Sequence, residues 1–220
     1  MIALRNCKAV TITNGILDNA TILVEEGLIK AVGLDVEIPA EAEVIDLSGK
    51  WVTPGFIDAH CHFSAMSEPR TKGMGDDGNE VTNPVTAHIR IIDALNPFGI
   101  AYEPVRKAGF TTCYTMPGSA NVIGGTFAAI KLWGESVDEM IVKDPVAMKC
   151  AFGENPKRFY GQQGKKAPLT RMGTAALLRE TLFKAKNYME KKDRGEEPAF
   201  DMKLEAMIPV IKREIPLKAH

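Results

Sequence analysis

Four short apolar runs, spaced far apart after residue 54, limit the possible folds of this chain more than any other feature. They are GFIDAH (55–60), GFTTCYTM (109–116), PVAMKCAFG (145–153) and IPLKAH (215–220). Continuous apolar runs of this length are typical of strands that are buried on both faces of a parallel sheet. Because the connections between them are long enough to hold helices, the pattern predicts an α/β architecture with a parallel sheet.

Two of the connections have helical periodicity. In residues 172–192, apolar side chains such as Leu178, Leu182 and Ala185 recur at steps of three and four residues, which predicts an amphipathic helix packed on the sheet. A second periodic segment contains Pro209. Proline lacks a backbone N–H and clashes with the preceding turn, so we expect it to kink or end that helix.

Residues 1–53 have the pattern of a small antiparallel β-sheet. Short segments rich in Val, Ile and Thr alternate with Asn-Gly, Glu-Gly and Ser-Gly turns. The apolar residues Ile22, Val24, Leu28 and Ile29 flank one of these turns. Their placement predicts a hairpin with one buried face.

The composition argues against several classes of partner. Hydrophobic residues make up 45% of the chain, charged residues 25%, and the formal net charge is -1, so nothing favours binding to nucleic acid or to an anionic membrane. No apolar window is long enough for a membrane span, and no signal peptide is recognisable. The four cysteines are far apart and form no C-x-x-C pair, so we expect reduced, mostly buried thiols. We expect a cytoplasmic protein that acts on a small molecule.

The residues best suited to chemistry are two histidines at the end of the first apolar run. Side chains two residues apart on a strand project to the same face, so His60 and His62 are predicted to point together. Two imidazoles from one strand end can bind zinc and leave positions open for other strands and for water. In parallel α/β folds, sites are built at this carboxyl end of the strands. Asp58 is expected either to orient a histidine or to make a local turn contact.

Three segments together carry a resemblance to a known family. GKWVTPGFIDAHCHF (49–63) resembles the signature of the amidohydrolase superfamily, and GFTTCYTMPGSANVIGG (109–125) and MKCAFGENPKR (148–158) are similar to its imidazolonepropionase-like subgroup. The resemblance implies a metal-dependent hydrolase with a catalytic (β/α)8 barrel and a small β-sandwich that includes the N-terminal strands. We therefore expect residues 1–53 to be part of the sandwich and residues 54–220 to be about half of a TIM-type barrel.

The resemblance also implies a set of metal ligands. His60 and His62 match the ligands of the first barrel strand, and His220 lies where a later strand supplies a further histidine. Glu154 is the preferred candidate for the acidic ligand of a middle strand. Lys149, a residue type that some relatives carboxylate to bridge two metals, is its competitor. The expected cofactor is one or two divalent ions, with zinc first and iron or manganese as alternatives.

A loop rich in glycine and serine follows the second apolar run. It is MPGSANVIGG (116–125), and it lacks the Gly-Lys-Ser/Thr ending of a phosphate-binding P-loop. We expect this loop to face the active site, with a purely structural turn as the alternative. Gly118, Ser119 and Asn121, together with Asn155 later in the chain, are candidate contacts to the substrate or to the metal ligands.

The resemblance implies hydrolysis of carbon–nitrogen bonds, in cyclic or linear amides, by a metal-activated water, with deamination as the alternative reaction. The aspartate that transfers the proton in such enzymes comes from the last barrel strand. A complete barrel takes roughly 250 residues, so this aspartate is expected beyond His220, and the chain is expected to be truncated and inactive alone. The competing hypothesis is an inactive remnant, or a subunit that needs a complementary C-terminal chain or a second copy of itself.

Overall fold

The computed structural model describes residues 1–66 and 77–220. The chain divides into two compact units, Met1–Gly55 and Phe56–His220, and each unit contains a sheet of five strands. Within the described ranges, no helix is long and apolar enough to cross a membrane.

The sheet of the N-terminal unit is arranged around its first strand. Its strands are β1 (Ile2–Val10), β2 (Ile16–Glu25), β3 (Leu28–Gly33), β4 (Glu43–Asp46) and β5 (Trp51–Val52). β1, β2 and β3 pair antiparallel, as predicted, whereas β4 and β5 both pair with β1 in parallel. The predicted all-antiparallel sheet is therefore wrong for the last two strands. β3 runs in the same direction as β1. The chain must therefore cross back to the end of the sheet where β1 begins before β4 can pair with β1 in parallel.

The predicted hairpin joins β2 to β3. Glu26 and Gly27 form its turn with φ values of 50° and 75°, the left-handed pair of a type I′ turn, whose twist matches that of the strands. The predicted buried face is only partly present, since Ile22 is buried, whereas Leu28 and Ile29 are 63% and 68% exposed. β3 lies at the edge of the sheet, where fewer neighbouring side chains cover it.

The C-terminal unit is built on the second sheet. Its strands are β6 (Phe56–Cys61), β7 (Phe110–Thr115), β8 (Ile123–Lys131), β9 (Ile141–Cys150) and β10 (Leu217–Ala219), in the order β10-β9-β8-β7-β6. Four of these strands confirm the four that the apolar runs predict. β6 and β7 are parallel, as are β9 and β10, but β8 is antiparallel to both of its neighbours.

Strand β8 corrects the prediction of a purely parallel sheet. Its first residues belong to the predicted loop, and eight of its nine residues are buried. Gly124, Gly125 and two alanines interrupt the β-branched and aromatic pattern by which strands are recognised. Since β6, β7, β9 and β10 run in the same direction, their carboxyl ends still share one edge of the sheet.

Helices connect these strands. They are α1 (Tyr102–Lys107), α2 (Val137–Met140), α3 (Glu154–Pro156), α4 (Arg171–Asp193) and α5 (Met202–Ile211), with a 3-10 turn at Ile91–Ala94 and a π-helical turn at Lys157–Gln163. α4 confirms the helix predicted at 172–192, and the Thr170 hydroxyl caps it by accepting from the Gly173 N–H at 3.1 Å. α5 contains Pro209 and ends two residues later.

The two sheets and their helices give a mixed α/β fold. Three of the cysteines, Cys7, Cys113 and Cys150, are buried and Cys61 is half-buried, in agreement with the expectation of mostly buried thiols. Closure of the second sheet into part of a barrel, and a second layer that would make the first sheet a sandwich, stay predictions.

Candidate metal centre

Four basic side chains come from the carboxyl edge of the second sheet. His60 lies near the end of β6 and is followed by His62, Lys149 lies near the end of β9, and His220 directly follows β10. Because these strands run in the same direction, their carboxyl ends bring together residues that are far apart in the sequence. The backbone N–H of His220 donates to the Cys150 carbonyl at 3.1 Å, which holds the last two strand ends side by side.

The three histidine rings lie close together. The centroid of the His60 ring is 5.7 Å from that of His62 and 5.9 Å from that of His220. His60 and His220 are exposed, and His62 is half-buried. The rings are therefore near enough to approach one small ligand, and solvent reaches them.

One hydrogen bond determines where His62 carries its proton. Nδ1 of His62 lies 2.8 Å from the carbonyl oxygen of Met116, and a carbonyl oxygen can only accept. Nδ1 must therefore donate in this hydrogen bond, which leaves Nε2 with an available lone pair. Metal-binding histidines are commonly oriented by a backbone carbonyl in this way.

Lys149 is the most deeply buried of the four side chains. The residue is 0% exposed, and its Nζ lies 3.4 Å from His60 Nε2 and 3.6 Å from the sulfur of Met116. Burial lowers the pKa of the Lys149 amine, despite an opposing effect of the neighbouring Cys150. Loss of hydration penalises the charged form, so the surroundings favour a neutral amine with a free lone pair.

The electrostatic surroundings of His60 are basic. Partial burial is the largest influence that lowers the pKa of its imidazole, and the electrostatic influence of four neighbouring basic groups lowers it further: Lys149, His62, Lys218 and His220. His60 is therefore favoured in its neutral form. A neutral imidazole is the form that binds a metal cation.

Glu154, the preferred acidic ligand in the sequence prediction, has its contacts elsewhere. β9 ends at Cys150, and Glu154 is the first residue of α3. Its exposed carboxylate accepts two hydrogen bonds from the Lys157 amine, each of 2.9 Å. The chain has turned into a helix four residues past the strand, where a glutamate pairs with a lysine three positions on, and a role of Glu154 as a metal ligand stays a prediction.

The complete set of ligands predicted from the sequence is not assembled. Residues 1–66 and 77–220 contain no group of three His, Cys, Asp or Glu side chains arranged to hold a metal ion. The predicted set is His60, His62, Glu154 and His220. What the structure brings together instead is three histidines and a buried lysine that contacts one of them.

The other predicted site residues have mixed placements. Of the two roles open to Asp58, the structure shows the local one, since its Oδ1 accepts the His60 backbone N–H at 3.0 Å. Gly118 is buried, and its N–H donates to the Gly78 carbonyl. Ser119 and Asn155 are half-buried, and a contact between them and a substrate stays a prediction.

Asn121 holds the glycine-rich loop in place from inside the unit. It is 2% exposed, and its Nδ2 donates to the Glu80 carbonyl at 2.6 Å, to the Asn83 carbonyl at 3.0 Å and to the Thr86 hydroxyl at 3.0 Å. A side-chain amide has only two N–H hydrogens, so these three acceptors share them. Asn121 therefore fits the structural alternative better than a contact to substrate.

We expect Asn121→Ala to lower the free energy of unfolding by about 2 kcal/mol, because it leaves buried acceptors without a donor. Urea denaturation measures this loss. Ser119→Ala, in the same loop but only half-buried, is the control and should change stability by no more than about 0.5 kcal/mol. Equal losses in the two variants would contradict the role assigned to Asn121.

The sequence contains a signal for Lys149 that the preference for Glu154 does not take into account. In PVAMKCAFG, one lysine stands inside an otherwise apolar strand near its carboxyl end. A strand that is buried on both faces offers no solvated side to a lysine, so the residue must be buried beside a group that compensates it. Met116, which contacts both Lys149 and His62, carries no such signal in the sequence.

Comparisons with known proteins agree on one kind of enzyme. No protein-family model matches the chain. Among solved structures, the chain is similar to an amidohydrolase from Thermotoga maritima MSB8, with 42% sequence identity and a TM-score of 0.92. Among curated proteins, it is 33% identical over 186 residues to amidohydrolase tasK of Hapsidospora irregularis, and 43% identical over 63 residues to an imidazolonepropionase of Acinetobacter baumannii.

These similarities cover different shares of the proteins. The Thermotoga structure matches 100% of this chain, tasK 78% and the imidazolonepropionase 26%. In the other direction, the chain spans 58% of the Thermotoga chain, 19% of tasK and 16% of the imidazolonepropionase. The likeness to the Thermotoga structure thus extends over both units of this chain, while each relative is longer than the part that matches.

Proposed function

The chain belongs to the amidohydrolase superfamily, and on this premise we propose that it forms part of the active site of a metal-dependent hydrolase of carbon–nitrogen bonds. The observation that carries the proposal is the meeting of His60, His62, His220 and Lys149 at the carboxyl edge of one sheet. In α/β folds, catalytic side chains from different strands come together at that edge. The proposed substrates are small amides, cyclic or linear.

The donor atoms at this edge suit a divalent cation. Metal ligands must be deprotonated, and the lowered pKa values of His60 and Lys149 favour their neutral forms. His62 has its Nε2 lone pair available, because Nδ1 donates to the Met116 carbonyl. The three histidines are the proposed ligands, and because they do not form a ready-made metal site by themselves among the described residues, the proposal requires a further ligand from Lys149. Imidazole ligands suit zinc first, with iron or manganese as alternatives.

Lys149, in place of Glu154, supplies the anionic ligand in this proposal. Its neutral Nζ forms a bond to the carbon of CO2 and loses a proton to water, which gives a carbamate with one negative charge and two oxygen atoms. The negative charge would offset the basic surroundings that lower the pKa of His60. Glu154 keeps its ion pair with Lys157.

When bound, the divalent ion lowers the pKa of a coordinated water and polarises the scissile carbonyl group. The chain fixes the groups around it: burial holds Lys149, the Met116 carbonyl orients His62, and Asp58 caps the backbone of His60. Such support keeps ligands in position before a substrate arrives. Deamination would use the same groups and differ only in the bond that is broken, so analysis of the products distinguishes the two reactions.

Zinc binding by the purified chain tests the proposal. In isothermal titration with bicarbonate present, we expect zinc to bind, and we expect His60→Ala combined with His62→Ala to weaken binding at least about 100-fold, because it removes two ligands. Mass spectrometry of the native protein should show one added CO2, which Lys149→Met abolishes.

Glu154→Gln is the matched control, because it alters the acidic residue that sequence alone favours. We expect it to leave the zinc affinity unchanged, since the Glu154 carboxylate is exposed and paired with Lys157. Failure of the folded chain to bind zinc, or equal affinity in the double histidine variant, would overturn the proposal. A loss in Glu154→Gln as large as that in Lys149→Met would return the anionic role to Glu154.

A further inference from the structure

One basic side chain at the carboxyl edge of the second sheet has no part in the proposed metal site. It is Lys218, which lies in β10 two residues before His220. β10 pairs in parallel with β9, and in this register Lys218 is the partner of Lys149. Residues that pair across neighbouring strands have their side chains on the same face of the sheet. Lys218 therefore lies on the face from which Lys149 contacts His60.

A contact across the sheet places the Lys218 amine beside the histidines. Its Nζ donates to the carbonyl oxygen of Ala59, the residue before His60, at 3.5 Å. This contact joins β10 to β6, the two outer strands of the sheet, as do the His60 and His220 rings, whose centroids are 5.9 Å apart. Burial is the largest influence that lowers the pKa of His60 and that of Lys149, and the charge of Lys218 lowers both further. The Lys218 amine therefore lies close to the proposed metal ligands.

Lys218 has hydrogen-bonding capacity that the described chain does not use. An ammonium group has three N–H donors, and the contact to Ala59 is the one hydrogen bond that the Lys218 side chain donates within residues 1–66 and 77–220. No carboxylate in these two ranges forms an ion pair with it. Because the residue is only half-buried, a ligand that enters from solvent can reach the two remaining donors.

The charge of the proposed metal centre also favours an anionic ligand. A divalent ion brings two positive charges, the proposed carbamate of Lys149 offsets one of them, and Lys218 adds another. The nearby carboxylates are used elsewhere, since Glu154 has its own ion pair and Asp58 accepts the backbone N–H of His60. A site lined by an excess of one sign of charge attracts ligands of the opposite sign.

We propose that Lys218 binds a carboxylate of the substrate, so that the substrates are small amides that carry a carboxylate near the scissile bond. The substrate class rests on the proposed hydrolase function, whereas the carboxylate site itself does not. The two oxygens of a carboxylate match the two free donors of Lys218, and hydrogen bonds between charged groups are roughly twice as strong as neutral ones. Lys218 and His220 are two positions apart, about 7 Å along an extended segment, a distance that one small molecule spans.

N-acetylglycine is the probe for this site, because it joins one amide to one carboxylate, and N-acetylglycinamide is its neutral counterpart. The metal-free chain in CO2-free buffer is expected to bind N-acetylglycine with a Kd of about 10 mM or below in an NMR titration. N-acetylglycinamide should bind at least about tenfold more weakly, because it lacks the negative charge. Amide resonances of residues 217–220 should shift most, and the preference should persist in the zinc-loaded chain.

Two variants test the assigned contact. Lys218→Met removes the charge and keeps an unbranched side chain, and should abolish the preference for N-acetylglycine over N-acetylglycinamide. Lys218→Arg retains a cation with paired N–H donors and should keep a preference of at least about threefold. Lys212→Met, at an exposed position before β10, is the control and should leave both Kd values unchanged.

Equal affinity of the original chain for the two probes, or an unchanged preference in Lys218→Met, would overturn the carboxylate site. An unchanged preference together with loss of the CO2 adduct from Lys218→Met would assign Lys218 to the Lys149 carbamate instead. Zinc binding tests the hydrolase function separately. A chain that prefers N-acetylglycine but binds no zinc would overturn that function and keep the carboxylate site, whereas a chain that binds zinc without this preference would do the reverse.

Discussion

Replacing Lys149 with methionine should make the metal-free protein more stable, by about 1–3 kcal/mol at neutral pH. The lysine is fully buried, and its Nζ contacts only weakly polar or basic neighbours in the described structure, namely His60 and the Met116 sulfur. Methionine has a similar length and no charge to desolvate. Urea denaturation in the presence of a chelator measures the gain.

The stability gain of Lys149→Met should shrink as the pH rises. Such a pH dependence would identify the buried charge of Lys149 as the cause of the gain. Burial lowers the pKa of Lys149, so the unfolded chain binds more protons than the folded chain between that lowered pKa and the ordinary value of about 10.4. The stability of the original protein must therefore rise with pH through this window, relative to the variant, which has no amine to titrate. Lys143→Met, at an exposed position on the same strand, is the control and should show neither the gain nor its pH dependence.

The same substitution should abolish the CO2-dependent part of zinc binding. A residue that destabilises the protein but provides a ligand is typical of an active site, where stability is exchanged for function. A Lys149→Met variant that is less stable than the original protein, or that binds zinc equally well in bicarbonate, would contradict the role assigned to this lysine.

The strands that the sequence predicts are those whose signal is local. The apolar runs of β6, β7, β9 and β10 and the periodicity of α4 depend only on neighbouring residues, and the structure agrees with them. The direction of a strand depends on partners far away in the sequence, so the parallel pairing of β4 and β5 with β1 is not apparent from composition. Strand β8 is hard to predict for two reasons. Its glycines weaken the local pattern by which strands are recognised, and no local pattern indicates that it runs antiparallel to its neighbours.

In the candidate site, too, features that depend on neighbouring residues are predictable from the sequence, and contacts between distant segments are not. The spacing of His60 and His62 is enough to predict that they lie close together, because positions two apart in an extended segment share a face, although β6 itself ends at Cys61. The choice between Lys149 and Glu154 depends on where β9 ends, and that strand ends at Cys150, before a helix begins at Glu154. The contact of Lys149 with His60 joins two strands that are separated by two others in the sheet, and no pattern within either segment encodes it.

Replacing Gly125 with alanine should cost more than about 3 kcal/mol of folding stability. Its φ of 118° is one that side chains rarely adopt, and a Cβ at this position would lie 2.4 Å from the Ile89 carbonyl oxygen. That oxygen accepts a hydrogen bond from the Thr126 N–H at 2.9 Å, so it cannot move away without breaking the pairing. Backbone strain and overpacking each cost about 1–3 kcal/mol, and here both apply.

Gly124→Ala, one residue earlier, separates this effect from the general cost of filling a glycine in a buried strand. A Cβ at Gly124 would meet its nearest atom, in the Lys149 side chain, at 3.5 Å, an ordinary contact, so we expect a change within about 1 kcal/mol. Thermal and urea denaturation of both variants give the comparison. Similar stabilities for the two variants would show that the Ile89 backbone can give way and that Gly125 is not required there.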